Sequence, residues 1–193
     1  MFGLNAFAVE PYDNNVYILS DPLSKDALLI DAANNVDRIL AELKGLSLSH
    51  ILTTHGHPDH VQAAAAVRRA TGALFTCHPG DAGMMPIAPD VEARDGDRFR
   101  FGAYELQAIH TPGHTPGSLC FLIEDRLFTG DTLFPGGPGN TSGPGASFPT
   151  IITSIRDRLF SLDGGIRVLP GHGKPTTIGD ERGQLDAWVK RGW

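Results

Sequence analysis

Cysteine, positive charge and long apolar stretches are all scarce in this sequence of 193 residues. Cys77 and Cys120, its two cysteines, each lie in an apolar, strand-like run, so we interpret them as reduced residues of the core. The formal net charge is −6 and lysine and arginine form no run, which argues against a nucleic-acid-binding surface. No stretch is long enough to span a membrane, and residues 1–6 lack the features of a signal peptide. The sequence therefore predicts a cytoplasmic protein with no nucleic-acid or membrane partner.

Histidine, by contrast, is concentrated in turns. Three imidazoles and one carboxylate fall within the segment HGHPDH at residues 55–60. Such side chains are ligands of borderline divalent metal ions. Turns rich in Gly and Pro elsewhere hold His114, Asp131 and His172. Five of the eight histidines lie in such loops, and this pattern indicates a metal site with two ions.

The local geometry of the 55–60 segment explains how it could bind two ions. The apolar, β-branched segment 48–54 predicts a buried strand that runs into the motif. Residues two apart in an extended segment point the same way, so His55 and His57 can converge on one ion. The helix-forming sequence that follows turns the chain and directs Asp59 and His60 toward a neighbouring site. The start of a helix also favours a carboxylate and disfavours a protonated imidazole, which suits ligands that bind deprotonated.

With these motifs the chain resembles the metallo-β-lactamase superfamily, and within it the glyoxalase II-like hydrolases. The resemblance extends from NNVY at residues 14–17 to TTIG at residues 176–179. It implies a centre of two divalent metal ions, zinc in the first instance, with iron and manganese as alternatives. The implied ligands of the first ion are His55, His57 and His114. Those of the second ion are Asp59, His60 and His172, with Asp131 bridging the two; this bridge is typical of the hydrolase branch, whereas antibiotic-hydrolysing lactamases usually depart from it.

The resemblance also implies a mechanism in which Asp59 and Asp131 act in catalysis through the ions that they hold. Two ions bridged by a carboxylate lower the pKa of a shared water, and the resulting hydroxide attacks an acyl carbonyl. The oxyanion is then stabilised electrostatically. The pair Gly117-Ser118 does not form the nucleophile elbow of a serine hydrolase. The expected function is hydrolysis of a small-molecule thioester or related acyl ester.

The same candidate ligands are compatible with other functions. A mononuclear iron persulfide dioxygenase of the same superfamily would use His55, His114 and Asp131 as a two-histidine, one-carboxylate face. A lactonase of the superfamily and a non-catalytic binding module are further alternatives. The loop after Asp131 contains neither Lys nor Tyr, and the chain has no match for the helical domain that holds glutathione in glyoxalase II proper. The resemblance therefore implies thioester hydrolysis without specifying glutathione.

Several residues outside the ligand set are candidates for supporting roles. The resemblance places Asp31 behind the metal histidines, where it could orient an imidazole N–H. His110 precedes the turn that holds His114, and we expect either a hydrogen bond that supports the ligands or simple packing. The segment 135–147 has five Gly and three Pro in thirteen residues and follows Asp131 closely. We expect this segment to face substrate, with its Asn140 as a candidate substrate contact. Lys174, which lies two residues after His172, is a second candidate.

The coarse pattern predicts an α/β fold with two similar halves. Strands are expected over residues 4–9, 16–19, 27–30, 48–54, 74–77, 98–101, 104–109, 118–123, 126–128 and 167–169, and helices over residues 36–44, 61–71, 149–161 and 181–190. Neither half covers both faces of its sheet, so we expect a four-layer αββα sandwich, two mixed sheets packed face to face with helices outside. We expect residues 1–193 to form a single domain, with the ligands on loops at one end of the sandwich.

Overall fold

Two six-stranded β-sheets form the framework of the protein across residues 1–192, the part of the chain that the computed structural model describes. Trp193, the last residue of the predicted domain, lies outside the described residues. The first sheet follows the order of the sequence. Its strands are β1 (Gly3–Val9), β2 (Asn14–Ser20), β3 (Asp26–Ile30), β4 (Ser47–Leu52), β5 (Leu74–Cys77) and β6 (Val91–Glu92). Strands β1 to β3 pair antiparallel, and β3 to β6 pair parallel.

The second half of the chain supplies the second sheet. The strands of this half of the chain are β7 (Arg98–Phe101), β8 (Tyr104–His110), β9 (Leu119–Ile123), β10 (Arg126–Gly130), β11 (Leu133–Phe134), β12 (Gly137–Pro138), β13 (Arg167–Pro170) and β14 (Thr176–Thr177). The sheet order is β14-β13-β10-β9-β8-β7, while β11 and β12 form a separate ribbon. Strands β10 and β13 are parallel and the other pairs are antiparallel, so both sheets are mixed.

Short helices connect the strands. They are α1 (Val36–Glu42), α2 (Pro58–Val61), α3 (Ala64–Thr71), α4 (Phe148–Ser154), α5 (Ile178–Arg182) and α6 (Leu185–Arg191). A 3₁₀ turn spans Pro79–Met84, and a π-helical turn over Ile155–Leu159 continues α4. Over residues 1–192, none of the helices combines the length and the apolar character that crossing a bilayer requires.

The first sheet is buried on both faces because apolar side chains occupy both sides of its strands. Along β2, Tyr17 and Leu19 face the second sheet, whereas Val16 and Ile18 face the helices. Ile39 of α1 packs in the same outer cluster as Val16 and Ile18. Full burial of a large aliphatic side chain contributes about 1.5–3 kcal/mol, so both layers of contacts stabilise the fold.

The second sheet repeats this arrangement. Phe128 of β10 lies in the core between the sheets, and its neighbour Leu127 points to the opposite face. There Leu127 belongs to the cluster that contains Ile151 of α4 and Trp188 of α6. Helices therefore cover the outer face of each sheet, and the predicted four-layer αββα sandwich is confirmed.

The predicted helix over residues 61–71 is wrong in its continuity. Helix α2 ends at Val61 and α3 begins at Ala64. The N–H of Ala63 donates to the carbonyl of Ala32 at 3.0 Å, a partner outside the helix. This tertiary hydrogen bond replaces one hydrogen bond of the expected helix and separates α2 from α3.

Two other predicted helices also differ from the structure. The segment 149–161 is α-helical only to Ser154, where the π-helical turn begins. The segment 181–190 is divided between α5 and α6, with the weak helix former Gly183 at the junction. Strands β6, β11, β12 and β14 were not predicted because two residues are too few to show a period.

The candidate ligands and Asp31 lie at the same end of the sandwich. Asp31 follows β3 and the 55–60 segment follows β4 in the first sheet. His114 follows β8, Asp131 follows β10 and His172 follows β13 in the second sheet. The carboxyl ends of parallel strands meet at one edge, so this topology gathers residues that are far apart in sequence.

Candidate metal centre

Three imidazoles converge where the loops after β4 and β8 meet. The Nε2 atom of His55 lies 3.1 Å from Nδ1 of His57. The Nε2 atom of His114 lies 3.2 Å from Nε2 of His55 and 2.9 Å from Nδ1 of His57. In a tetrahedral zinc site with Zn–N bonds of about 2.0–2.1 Å, two ligand nitrogens are about 3.3 Å apart. The spacing of His55, His57 and His114, here called the first triad, therefore fits one metal ion.

A second set of ligand atoms lies beside the first. The Nε2 atoms of His60 and His172 are 3.1 Å apart. Oδ2 of Asp59 lies 3.5 Å from His60 Nε2 and 3.4 Å from His172 Nε2. Asp59, His60 and His172, here called the second triad, combine one carboxylate with two imidazoles. The structure thus brings together the side chains of each predicted group, and their division between two ions stays a prediction.

Asp131 lies between the two triads. Its Oδ1 atom is 3.5 Å from Nε2 of His60, and its Oδ2 atom is 3.6 Å from Nε2 of His114 and 3.7 Å from Nε2 of His172. Oδ1 is buried and, within the described residues, has no hydrogen-bond partner. A buried carboxylate oxygen without a partner is costly unless a cation compensates it. A buried carboxylate oxygen without a protein partner at this position fits a ligand shared by two metal ions.

Hydrogen bonds behind the triads determine which ring nitrogens face the centre. Nδ1 of His60 lies 2.9 Å from Oδ2 of Asp31 and must donate to it, since a carboxylate accepts. The Thr54 hydroxyl donates to the same carboxylate at 2.7 Å, and its oxygen can accept from Nδ1 of His55 at 3.1 Å. The Nε2 lone pairs of His55 and His60 therefore point toward the metal positions. Asp31 thus lies behind the histidines, the position that the family resemblance implied.

Backbone carbonyls do the same for the other two Nε2 ligands. Nδ1 of His114 lies 2.7 Å from the carbonyl oxygen of Asn140, and Nδ1 of His172 lies 2.9 Å from that of Tyr12. A carbonyl can only accept, so each Nδ1 is protonated, and in the neutral ring each Nε2 carries a lone pair. Lone pairs that converge without intervening protons repel one another unless a cation lies between them. The donor set thus fits metal ions.

Burial lowers the pKa of two histidines of the first triad. Desolvation holds the pKa of His55 well below its ordinary value of 6.5, and the neighbouring imidazoles add to this effect. Burial also lowers the pKa of His114, although the carboxylate of Asp131 opposes the shift. Both rings are therefore neutral near pH 7, the state that can bind a metal ion.

The second triad has the opposite electrostatics. The hydrogen bond with Asp59 raises the pKa of His172. Burial alone would lower the pKa of His60, but its hydrogen bond to Asp31 and the nearby carboxylates raise it. The hydrogen bond from His172 holds the pKa of Asp59 far below its usual range. Protons therefore compete with a metal ion more strongly at the second triad than at the first.

Asn14 is a supporting residue that the sequence reasoning missed. It is buried at the start of β2, and its Nδ2 group donates to Oδ2 of Asp59 at 2.9 Å. The next residue, Asn15, donates from its side chain to the carbonyls of Pro170 and Gly173, on either side of His172. The available signal was the pair of adjacent asparagines at the head of an apolar strand.

The family of the chain follows from its sequence as a whole. A model of the metallo-β-lactamase superfamily matches residues 9–172, a range that includes all seven candidate ligands. The chain belongs to the metallo-β-lactamase superfamily.

Individual members of the superfamily resemble the chain over nearly its full length. It is 32% identical to hydroxyacylglutathione hydrolase GloC of Haemophilus influenzae, over 93% of this chain and 95% of GloC. Among solved structures, BLEG-1, a B3 metallo-β-lactamase, superposes with a TM-score of 0.88 at 27% identity, over 94% of this chain and 97% of BLEG-1. TTHA1623 in a di-iron-bound form superposes with a TM-score of 0.82 at 33% identity, over 92% of this chain and 96% of TTHA1623. Because these members carry different substrates or metals in their names, the substrate and the metal must be argued from the site.

His110 makes a hydrogen bond and a ring contact beside the loop that carries His114. Its Nε2 group donates to the carbonyl of Pro116 at 3.0 Å, and its ring stacks on His78 with centroids 4.0 Å apart. Within residues 1–192 we find no hydrogen bond from His110 to a ligand side chain. The side chain thus contacts the loop that carries His114, and its role in supporting the ligands stays a prediction.

The two candidate substrate contacts, Asn140 and Lys174, differ in their surroundings, and substrate contact by either stays a prediction. The side-chain Oδ1 of Asn140 accepts from the N–H and the hydroxyl of Ser142, both at 2.7 Å, so this oxygen is directed into its own loop. The carbonyl of Asn140 supports His114, a role that the sequence did not indicate. Lys174 is exposed on the loop that follows His172, and its contact with substrate stays a prediction.

Several cavities lie around the candidate metal centre. One of about 370 Å³ is lined by Tyr12, Pro58, Asp59 and Gln62. Another of about 390 Å³ extends from Asp131 along residues 134–140 to Arg191. Residues 138–142 line a third cavity of about 450 Å³. The Gly- and Pro-rich segment thus borders open space beside the ligands, as its predicted role requires.

Proposed function

We propose that the protein is a dinuclear metal-dependent hydrolase of thioesters or related acyl esters, with hydroxyacyl thioesters as its main substrate class. The observation that carries this proposal is the position of Asp131 between two complete triads, with one buried oxygen that has no partner among the described residues. A carboxylate shared by two sets of ligands suits two ions a few ångströms apart.

Bound divalent ions would supply Lewis acidity, which lowers the pKa of water toward neutrality and polarises a carbonyl. The chain's own residues prepare for this chemistry. Asp31 and the carbonyls of Asn140 and Tyr12 orient the imidazoles, and burial keeps His55 neutral. Asp59 and Asp131 supply two negative charges to hold the ions, and these are the residues to which we assign catalytic roles.

The surroundings of Cys77, Cys120 and Ser118 support a reaction without a side-chain nucleophile. Burial raises the pKa of Cys77 to about 12 and that of Cys120 to about 11, so both thiols are protonated at neutral pH. The hydroxyl of Ser118 is buried and accepts from the N–H of Thr115 at 3.0 Å. None of these groups has the activation that covalent catalysis requires.

The thioester assignment is supported by the similarity to the hydrolase named for hydroxyacylglutathione. The cavity between Asp131 and Arg191 offers a place for the part of the substrate beyond the reacting carbonyl. Arg191 and Lys174 are the cations that we assign to negative groups of such a substrate. Zinc is our first choice for both ions, since imidazole and carboxylate ligands suit it, and iron is the alternative that the di-iron form of TTHA1623 suggests.

The test is metal analysis of protein purified without added metal, combined with a substrate panel. We expect about two metal equivalents and hydrolysis of hydroxyacyl thioesters faster than of a lactone or a β-lactam. The Asp131→Ala variant is the negative control for each substrate. One equivalent of iron, with oxygen consumption on a persulfide and no thioester hydrolysis, would overturn the proposal in favour of a dioxygenase.

A further inference from the structure

A buried carboxylate outside the ligand set joins the two loops that form the first triad. Oδ2 of Asp81 accepts from the N–H of Gly56 at 2.8 Å, between His55 and His57 in the sequence. Its Oδ1 accepts from the N–H of Gly117 at 2.7 Å, in the loop of His114.

The Thr115 hydroxyl also donates to Oδ2 of Asp81, at 2.6 Å. Asp81 itself is fully buried, with 0% of its surface exposed. One carboxylate therefore holds both sides of the first triad by three hydrogen bonds, and bonds of this kind to an ionised acceptor are short and strong.

Glycine in each loop permits this approach. A Cβ atom on Gly56 would lie 3.3 Å from Cβ of Asp81 and 2.7 Å from Cβ of Met84. A Cβ atom on Gly117 would lie 2.6 Å from Cγ of Asp81. The loops can therefore bring their N–H groups to the carboxylate only because neither residue has a side chain.

The turn that carries Asp81 is itself fixed at its start. His78 caps this 3₁₀ turn, with its Nδ1 accepting from the N–H of Gly80 at 3.0 Å. The ring of His78 stacks on that of His110 at the end of β8. The carboxylate is thus held by the first half of the molecule and by the second, at the junction where their ligands must meet.

Asp81 belongs to none of the clusters of potential ligands, and its hydrogen bonds go to backbone and hydroxyl groups. The second triad is supported by different residues, since Asn14 holds Asp59 and Asp31 holds His60. Loss of Asp81 would therefore free the loops of one metal position and leave the supports of the other in place.

We propose that Asp81 is a positioning residue that sets the metal affinity of the first triad selectively, by fixing the loop of His55 and His57 against the loop of His114. This inference rests on the metal centre of the proposed function. Residues that orient ligands typically change metal affinity about 10- to 100-fold, and we expect a loss of this size for the first triad in Asp81→Asn. The amide keeps the size of the side chain but cannot accept from both Gly56 and Gly117 as the carboxylate does.

The experiment is titration of metal-free protein with cobalt(II), followed by its visible absorption. His57→Ala and His172→Ala supply reference spectra for loss of the first and of the second triad. In Asp81→Asn we expect the first-triad signal to require about 10- to 100-fold more cobalt while the second-triad signal is unchanged. Wild-type protein that binds no cobalt would refute the metal centre itself, a result distinct from failure of this inference.

A matched control comes from Asp21, another buried carboxylate that accepts backbone N–H groups from two loops. It binds the N–H of Leu23 at 2.8 Å and that of Ala103 at 2.9 Å, at the opposite end of the sheets. We expect Asp21→Asn to lower the melting temperature of the metal-free protein without changing either cobalt signal.

Equal loss at both triads in Asp81→Asn, or no loss at either, would refute a selective positioning role. If this variant does not fold, Thr115→Val decides the question, since it removes one of the three hydrogen bonds and keeps the size of the side chain. A smaller loss confined to the first triad would support the proposal, and an unselective or absent effect would refute it.

Discussion

Asp31 and His60 form a buried pair whose atoms Oδ2 and Nδ1 lie 2.9 Å apart, and the same carboxylate binds the N–H and the hydroxyl of Thr54. One residue thereby orients a ligand of the second triad directly and His55 of the first triad through a hydroxyl. Asp31 follows β3 and has a left-handed backbone conformation with φ of 56°, which Asp tolerates better than most residues. This geometry makes Asp31 the support shared by both metal positions.

We predict that Asp31→Ala weakens metal binding at both triads, by about 10- to 100-fold, because His55 and His60 lose the groups that orient them. The metal-free protein should also be less stable, since each buried donor left without an acceptor costs about 1–3 kcal/mol. Cobalt titration and chemical denaturation measure the two effects. Retention of wild-type affinity at both triads would show that the imidazoles are oriented without Asp31.

Asp131→Ala should abolish turnover and reduce metal content at both positions. The variant removes the negative charge between two sets of ligands, so the loss should exceed the roughly 10- to 100-fold typical of residues that only orient ligands. Metal analysis after dialysis and a thioester assay test this together. Full occupancy with a near-normal rate would exclude the bridging assignment.

Four of the candidate ligands lie within residues 55–60, where the sequence indicates strand and helix geometry and hence the directions of these side chains. Their binding of metal stays a prediction. The layers of the fold could be predicted from the apolar strands, because neither half of the chain can cover both faces of its own sheet. Asp81 and the carbonyl of Asn140 could not be predicted in this way. Their partners are 25 or more residues away, and a backbone carbonyl carries no side-chain signature. The helix break at Ala63 was missed for the same reason, since its hydrogen bond depends on tertiary structure.

The stability of the metal-free protein should depend on pH through His50. Its ring is partly buried beside Phe99, and burial lowers its pKa below the ordinary 6.5. Between these two values the unfolded state binds more protons at this residue, so the contribution of His50 to stability is greatest above pH 6.5 and falls as the pH drops toward its folded-state pKa. On acidification, we expect the free energy of unfolding of the wild type to fall more than that of His50→Gln. Urea titrations across this range measure it, and a difference that does not change with pH would contradict the assignment.

Shortening the loop within residues 141–145 should change substrate preference while metal content is retained. The carbonyl of Asn140 stays in place, so the support of His114 is preserved. We expect the ratio of rates across a panel of acyl thioesters to change, with a smaller loss for an activated generic thioester. A deletion of residues 138–145, which removes that carbonyl, should in addition weaken metal binding. If every substrate slows by the same factor in the shorter deletion, the loop does not determine specificity.

Arg191 should govern the affinity for substrates that carry a carboxylate beyond the reacting carbonyl. It lines the cavity that begins at Asp131, and its Nη2 group lies 3.4 Å from the carbonyl of Gly136 at the wall of that cavity. A guanidinium binds a carboxylate through two parallel hydrogen bonds, so Arg191→Ala should raise KM for such thioesters roughly tenfold and leave kcat nearly unchanged. Thioesters without the negative group should be unaffected.

Arg191→Lys should fall between wild type and Arg191→Ala, since an ammonium group keeps the charge and loses the fork geometry. Lys190→Ala is the matched control, because it removes a neighbouring cation of the same helical turn that does not line this cavity. KM values for a charged and a neutral thioester, measured on all three variants, distinguish direct binding of the substrate by Arg191 from a general electrostatic attraction. If Lys190→Ala raises KM for the charged substrate as much as Arg191→Ala does, the substrate is attracted by the overall positive charge of the last turn of α6 and not by Arg191 specifically. If only Arg191→Ala does so, the cavity between Asp131 and Arg191 is where the anionic end of the substrate binds.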